Sequence, residues 1–192
     1  MLMNAEFLEA KFRIGLPYDE FVASGEPLGH RPPWDERYGR LALTKKENEL
    51  VASFTRKLNI LCLTGTWCGD CALQGAAMQR IAEANPQHID LRFILRADEQ
   101  ADIIVPNQIN GGFRVPVTWF MAEDFEPVSR IGDRTLSRYR AMAIKNLGDQ
   151  SNVHAPPPSD PVREVLVEVL REFERVHLLL RTSARLREKH GD

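Results

Sequence analysis

The run Leu58-Asn-Ile-Leu-Cys-Leu-Thr64, closed by Gly65 and followed at once by Trp67-Cys68-Gly69-Asp70-Cys71, constrains this chain more than any other feature. A short, mostly apolar segment that stops at a glycine reads as a strand buried on both faces. The stretch from Cys68 to Asn85 reads as a helix stopped by Pro86. Two cysteines two residues apart therefore sit where a buried strand ends and a helix opens.

That position has chemical consequences. Disulfide exchange needs a thiolate, whereas a free cysteine is mostly protonated at neutral pH. Backbone N–H groups and partial positive charge at a helix N-terminus stabilise the anion. The C-x-x-C spacing keeps both sulfurs within one turn, with Cys68 at the tip able to attack and Cys71 deeper and able to resolve. Trp67 shields one side of the pair and offers a flat apolar contact. The alternative use of such a pair is half a zinc site. Zinc takes four ligands, and beyond this pair the chain offers only Cys62 and five scattered histidines, His30, His88, His154, His177 and His190. No metal ligand is assigned.

Around the motif the pattern alternates. Ile89 to Leu95 is a second apolar strand, Asp98 to about Val105 a weaker helix, and Asn110-Gly111-Gly112 a loop. Val117 to Met121 is a third strand. A turn at Glu123-Asp124 leads to a fourth around Val128 to Ile131. Asp133 is expected to cap a helix with Leu136, Tyr139, Ala143, Ile144 and Leu147 on one face, ended by Gly148. The first two strands, joined through a helix, predict a parallel βαβ unit; the last two predict an antiparallel hairpin. The fold class is α/β: a mixed central sheet flanked by helices.

Both ends extend this unit. Residues before 57 read as mostly helical. Phe7, Leu8 and Phe12 suit one helix, Pro17 to Val22 another turn, and Pro32-Pro33-Trp34 a loop. Thr44 and Glu47 form a capping-box pattern, followed by Leu50, Val51, Phe54 and Leu58 at helical spacing. Near the other end, Ala155-Pro-Pro-Pro-Ser-Asp-Pro161 reads as a linker. Asp160 can cap a final helix with Pro161 in its first turn, and Val162, Val165, Leu166, Val169, Leu170, Phe173, Val176 and Leu180 line one broad face. Glu168/Arg171 and Glu172/Arg175 are spaced to pair on the solvent side. The expected organisation is 1–44 a helical extension, 45–148 the central α/β domain, 149–161 a linker and 162–192 an amphipathic helix. The apolar stripe on that helix packs on its own domain or, as the sharper alternative, forms a homodimer or partner interface.

Composition narrows the surroundings. The chain has 192 residues, 43% hydrophobic, with net charge −2, which gives no electrostatic reason to expect nucleic acid or an anionic membrane as partner. Met1-Leu-Met-Asn-Ala-Glu-Phe-Leu-Glu-Ala10 lacks the basic and long apolar regions of a signal peptide, and no apolar run approaches the ~20 residues that span a bilayer. Three cysteines are too few for a disulfide framework; a close pair in an intracellular chain suggests catalysis or metal rather than a staple.

With Trp67-Cys-Gly-x-Cys71 after an apolar strand, and Arg114-Val115-Pro116-Val117-Thr118 further along, residues 45–147 resemble the thioredoxin superfamily. Cys68-Gly-Asp-Cys71 together with Asn110-Gly-Gly112 is similar to a group of bacterial cytosolic thioredoxin-like proteins. The resemblance implies a cis proline at Pro116 beside the cysteine pair. It also implies thiol–disulfide oxidoreductase activity in the cytoplasm, with Cys68 as attacking thiol and Cys71 as resolving thiol. Trp67, Gly69, Val115 and Pro116 become the docking surface for disulfide-containing protein substrates, an extended segment pairing with Val115 in strand fashion. No cofactor is implied, but a recycling partner is: a flavin reductase, glutathione or another dithiol protein.

Two features depart from the family. The buried acid that members carry six positions before the first cysteine is replaced by Cys62, read here as a small apolar residue. Asp70 beside Cys71 has two readings: proton acceptor for the resolving thiol, or first-turn residue favoured by the helix dipole. Its charge also opposes thiolate formation. The second departure is the extra material at both ends. Two competing functions stand beside the enzyme: a redox-responsive interaction protein whose pair is a switch and whose last helix binds a partner, and a metal-binding module.

Overall fold

The computed structural model describes residues 3–192. Four strands, β1 (Leu58–Thr64), β2 (Ile89–Leu95), β3 (Val117–Met121) and β4 (Pro127–Ile131), form one mixed sheet in the order β2-β1-β3-β4. β1 and β2 run parallel, in register from Leu58 opposite Ile89 to Thr64 opposite Leu95. β1–β3 and β3–β4 are antiparallel, the latter with an irregularity at Phe120/Met121. All seven residues of β1 are buried, because the strand is central and covered on both faces. Side chains alternate across it: Leu58, Ile60 and Cys62 enter one apolar cluster, Leu61 and Leu63 the other.

The helices supply those two layers. α1 (Ala5–Ile14), N-capped by Asn4, brings Leu8 and Phe12 to the face of Leu61, Leu63 and Trp119. Leu16 then exchanges two 2.8 Å backbone hydrogen bonds with Phe93 and covers the free edge of β2. α2 (Tyr18–Ser24), α3 (Arg31–Arg40), α4 (Lys45–Ala52) and α5 (Gly69–Glu83) lie on the opposite side. The capping box of Thr44 and Glu47 opens α4. The weak helical segment after β2 is α6 (Ala101–Ile104), flanked by single 3-10 turns. α7 (Leu136–Leu147) follows β4. α8 (Pro161–Thr182), capped by Asp160 through Val162 and Arg163 N–H, and α9 (Ala184–His190) close the chain.

Several sequence expectations change here. Pro32-Pro33-Trp34 is not a loop but the first turn of α3. Prolines fit there because first-turn N–H groups have no intrahelical acceptor to lose. Asp133 does not cap α7; its N-cap is Thr135, and the orphan N–H of Ser137 is satisfied by Glu168 of α8 at 2.9 Å. Glu168 therefore does not pair with Arg171 on the solvent side, although Glu172 and Arg175 do pair. The apolar positions of α7 are not inward: Leu136, Ile144 and Leu147 are exposed, and Ser137 is its one buried residue. On α8 the apolar stripe lies within the core, with Phe173 edge-on to Phe120 at 5.2 Å. Only Leu178 and Leu179 remain as large exposed apolar residues on that helix.

Candidate functional site

β1 ends at Thr64, and four residues later Cys68 is the N-cap of α5, in extended conformation. Its Sγ receives the backbone N–H of Cys71 at 3.3 Å and lies 3.8 Å from the Val115 carbonyl oxygen. A thiol in the capping position accepts from an orphan amide where a serine or aspartate would do so elsewhere. Cys68 is half-buried, Cys71 is buried, and neither is bonded in a disulfide. The Val115–Pro116 bond is cis, with Pro116 buried and Val115 half-buried beside Cys68. Gly69 is exposed, with open space where a Cβ would stand.

The two thiols are electrostatically distinct. Cys68 is lowered to about 7. The Cys71 thiol donating to its sulfur does most of this; backbone N–H groups of Cys71 and Asp70 add to it, against partial burial and the Asp70 charge. Cys71 moves the other way, well above an ordinary thiol, chiefly because burial penalises its thiolate. Cys62, fully buried in β1, is pushed up to about 12 by burial, which suits an inert core thiol.

Asp70 is nearly buried and fully engaged. Arg134 Nε donates to one carboxylate oxygen at 2.7 Å and Arg138 Nε to the other at 2.8 Å. Both arginines follow β4, and Arg134 also reaches Asp133, which takes Arg114 and the Tyr139 hydroxyl as well. The carboxylate that sequence places beside Cys71 thus faces two guanidiniums.

The N-terminal helices brace the loop before Cys68. Trp34 Nε1 of α3 donates to the Thr66 carbonyl at 2.8 Å, and His30 Nδ1 lies 2.9 Å from the Thr66 hydroxyl. Trp67 is 47% exposed. It packs over Gly65, where a Cβ would stand 2.8 Å from the indole ring. The Arg96 guanidinium sits 5.4 Å from the Trp67 ring centroid, and its Nη1 donates to the Phe113 carbonyl. Beside it a hollow of about 250 Å³ is lined by Arg96, Ile104, Val105 and Phe113. Another hollow, of about 290 Å³, lies between α7 and Val153–Pro158 and shares only Arg138 with the surroundings of Asp70.

Of the residues singled out from sequence, Trp67, Cys68, Cys71, Val115 and Pro116 come together, and Asp70 adjoins them while facing its arginines. His30, Trp34, Arg96, Phe113, Arg134 and Arg138 join the site without any sequence signal, since each depends on a contact between distant elements. Among the described residues no three His, Cys, Asp or Glu side chains gather as a metal-holding group, and no helix is long and apolar enough to cross a membrane.

Comparison with known proteins bears on this site. A family model described as Thioredoxin matches residues 15–144. The fold is similar to the crystal structure of a protein of unknown function from Pseudomonas aeruginosa, with a TM-score of 0.62 and 19% identity over 86% of this chain and 93% of that one. It is also similar to an HIV epitope-scaffold, with a TM-score of 0.60 and 16% identity over 88% of this chain and 95% of that one. No curated protein matches the chain.

Proposed function

Because the chain belongs to the thioredoxin family, we propose that it is a thiol–disulfide oxidoreductase, acting as a protein disulfide reductase through Cys68 and Cys71. The observation that carries this reading is the placement of the two thiols: Cys68 caps the tip of α5, half-buried and accepting the Cys71 N–H at 3.3 Å, while Cys71 is buried behind it. The Cys68 thiol is accordingly lowered to about 7 and that of Cys71 raised. A nucleophile that is half thiolate near neutral pH and a shielded second thiol that waits for it are what sequential exchange requires.

In the reducing direction the Cys68 thiolate attacks a substrate disulfide, and the first substrate sulfur leaves. Cys71 then attacks Cys68, forming the Cys68–Cys71 disulfide and releasing the second sulfur as a thiol. Trp67, Gly69, Val115 and Pro116 form the docking surface. Exposed Phe113 and Val105 and the hollow between them suit an apolar side chain of the docked segment. An electron donor, either glutathione or a reductase, returns the pair to the dithiol. A compartment that keeps thiols reduced, the cytoplasm, suits this cycle.

Brief iodoacetamide treatment near neutral pH, read by mass spectrometry, is expected to label Cys68 well before Cys71. With Cys71→Ser, substrates are expected to stay attached through Cys68 as adducts that reductant removes. Preferential labelling of Cys71, or adducts equally abundant with Cys68→Ser, would overturn the assignment. Preferential labelling of Cys68 without catalytic reduction of insulin would favour a redox switch over an enzyme.

A further inference from the structure

Resolution poses a problem that the residues named so far do not solve. In the resting dithiol, Cys71 donates its proton toward the Cys68 sulfur. Once Cys68 is bonded to a substrate sulfur that acceptor is neutral, and Cys71 must become a thiolate where no water reaches it. The family's buried acid is absent, with Cys62 in its place. The Asp70 carboxylate is occupied on both oxygens by Arg134 and Arg138. The Thr118 hydroxyl, opposite Cys62 in the sheet, faces the sulfurs of Met78, at 3.8 Å, and Cys62 rather than that of Cys71.

Thr64 is left. The alternation of β1 turns it to the same face as Ile60 and Cys62, the face covered by α5. Its side chain is fully buried and its Oγ1 has no hydrogen-bond partner. A buried hydroxyl without a partner is uncommon and destabilising. It lies near the sulfurs of Cys62 and Cys71 without a formed hydrogen bond to either.

Resting on the dithiol reading above, we propose that the unpartnered Thr64 hydroxyl is the donor that stabilises the Cys71 thiolate during resolution. Thr64 is not a base and takes no proton. The Cys71–Cys68 bond forms, the Cys68–substrate bond breaks, and the electron pair leaves on the substrate sulfur. That sulfur takes up the proton Cys71 has given up, so the step needs no further reactant.

Thr64→Val keeps the shape and removes the donor; Thr64→Ser keeps the donor. Dithiobis(nitrobenzoate), added at one equivalent to the reduced protein, releases one thionitrobenzoate on attack by Cys68 and a second on resolution by Cys71. Rapid mixing is expected to show an unchanged first release in Thr64→Val, a second release slowed on the order of tenfold, and recovery in Thr64→Ser. In Cys68→Ala, where no exchange cycle is possible, Thr64→Val is expected to raise the pH at which Cys71 ionises by about one unit. An unchanged second release together with an unmoved Cys71 ionisation, or a slow Thr64→Ser that is folded by circular dichroism, would overturn the proposal. If the wild-type protein itself gave no second release, the dithiol reading would fail, and the Thr64 assignment would stand or fall on the Cys71 ionisation alone.

Discussion

Asp70 and Cys71 are consecutive in the first turn of α5, and their side chains face opposite surroundings. Cys71 points into the core, whereas Asp70 turns to Arg134 and Arg138. Sequence leaves two readings of Asp70 open, proton acceptor or helix-start residue, and the arginines add a third: an anchor joining α5 to the segment after β4. A carboxylate whose two oxygens already hold guanidiniums is a poor acceptor for a thiol proton, but its charge still raises the Cys68 thiol. Alkylation of Cys68 reports the thiolate, so its rate is expected to rise about tenfold per pH unit below a midpoint of about 7 and to level above it. Asp70→Asn removes an anion that disfavours the thiolate and frees two cations that favour it, so the midpoint moves down. The expected shift is about half a unit, making attack faster at pH ~6, with resolution unchanged. Slower resolution with an unmoved midpoint would instead make Asp70 the proton acceptor. The cysteine pair was legible because C-x-x-C spacing and helix onset are local. The state of Asp70 was not, because its partners lie 64 and 68 residues away in sequence.

The strands were readable for the same reason of locality: each is a short apolar run bounded by turn residues, and burial on both faces leaves little else for such a run to do. The helices were harder wherever another element decides their role. α3 looked like a loop because two prolines open it, and what makes it part of the site is a contact invisible in its own pattern. Trp34 lies across α5 at Gly75, where an added Cβ would stand 2.5 Å from the indole Cζ3. The same indole holds the Thr66 carbonyl next to the cysteine turn. α7 is legible as a helix ended by Gly148, but its start is not: Thr135 rather than Asp133 caps it, Glu168 from α8 satisfies its Ser137 N–H, and Leu136, Ile144 and Leu147 are exposed. Gly75→Ala separates these influences. Helix propensity alone favours alanine by about 1 kcal/mol, whereas overpacking a filled core costs about 1–3 kcal/mol. Because the obstacle is a fully buried indole with no room to swing, packing is expected to win. The variant should unfold at lower denaturant, by up to about 2 kcal/mol net, and should alkylate at Cys68 more slowly as the Thr66 bond loosens. A variant more stable than the wild-type protein would show that α3 yields to α5, and would remove Trp34 as the brace of the site.

At the scale of the whole molecule, the question is whether the last helix is an appendage to a domain that is complete without it. The family match ends at residue 144, and the resemblance read from sequence stops at 147, so either view would have been reasonable from pattern alone. Packing favours the integral view. Val165, Leu166, Phe173 and Val176 are fully buried and Val169 nearly so, in one cluster with Phe54, Phe120 and residues of α5. His177 lies flat on Phe54 with ring centroids 4.3 Å apart. Burying each large apolar side chain stabilises by about 1.5–3 kcal/mol. Five of them therefore contribute on the order of 10 kcal/mol, which is comparable to the whole stability of an ordinary domain. Polar contacts point the same way, for Arg163 pairs with Glu47 of α4 and Glu168 caps α7. A chain ended after residue 159 would leave one side of α5 uncovered and the α7 start unsatisfied. It is expected to lose its cooperative unfolding transition, to bind a hydrophobic dye, and to lose the low alkylation midpoint of Cys68, because that midpoint depends on a fixed α5 terminus. Adding a peptide of residues 160–192 is expected to restore all three. A shortened chain that unfolds cooperatively and keeps the reactivity of Cys68 would mean that the core closes without α8, leaving that helix available as the partner-binding element.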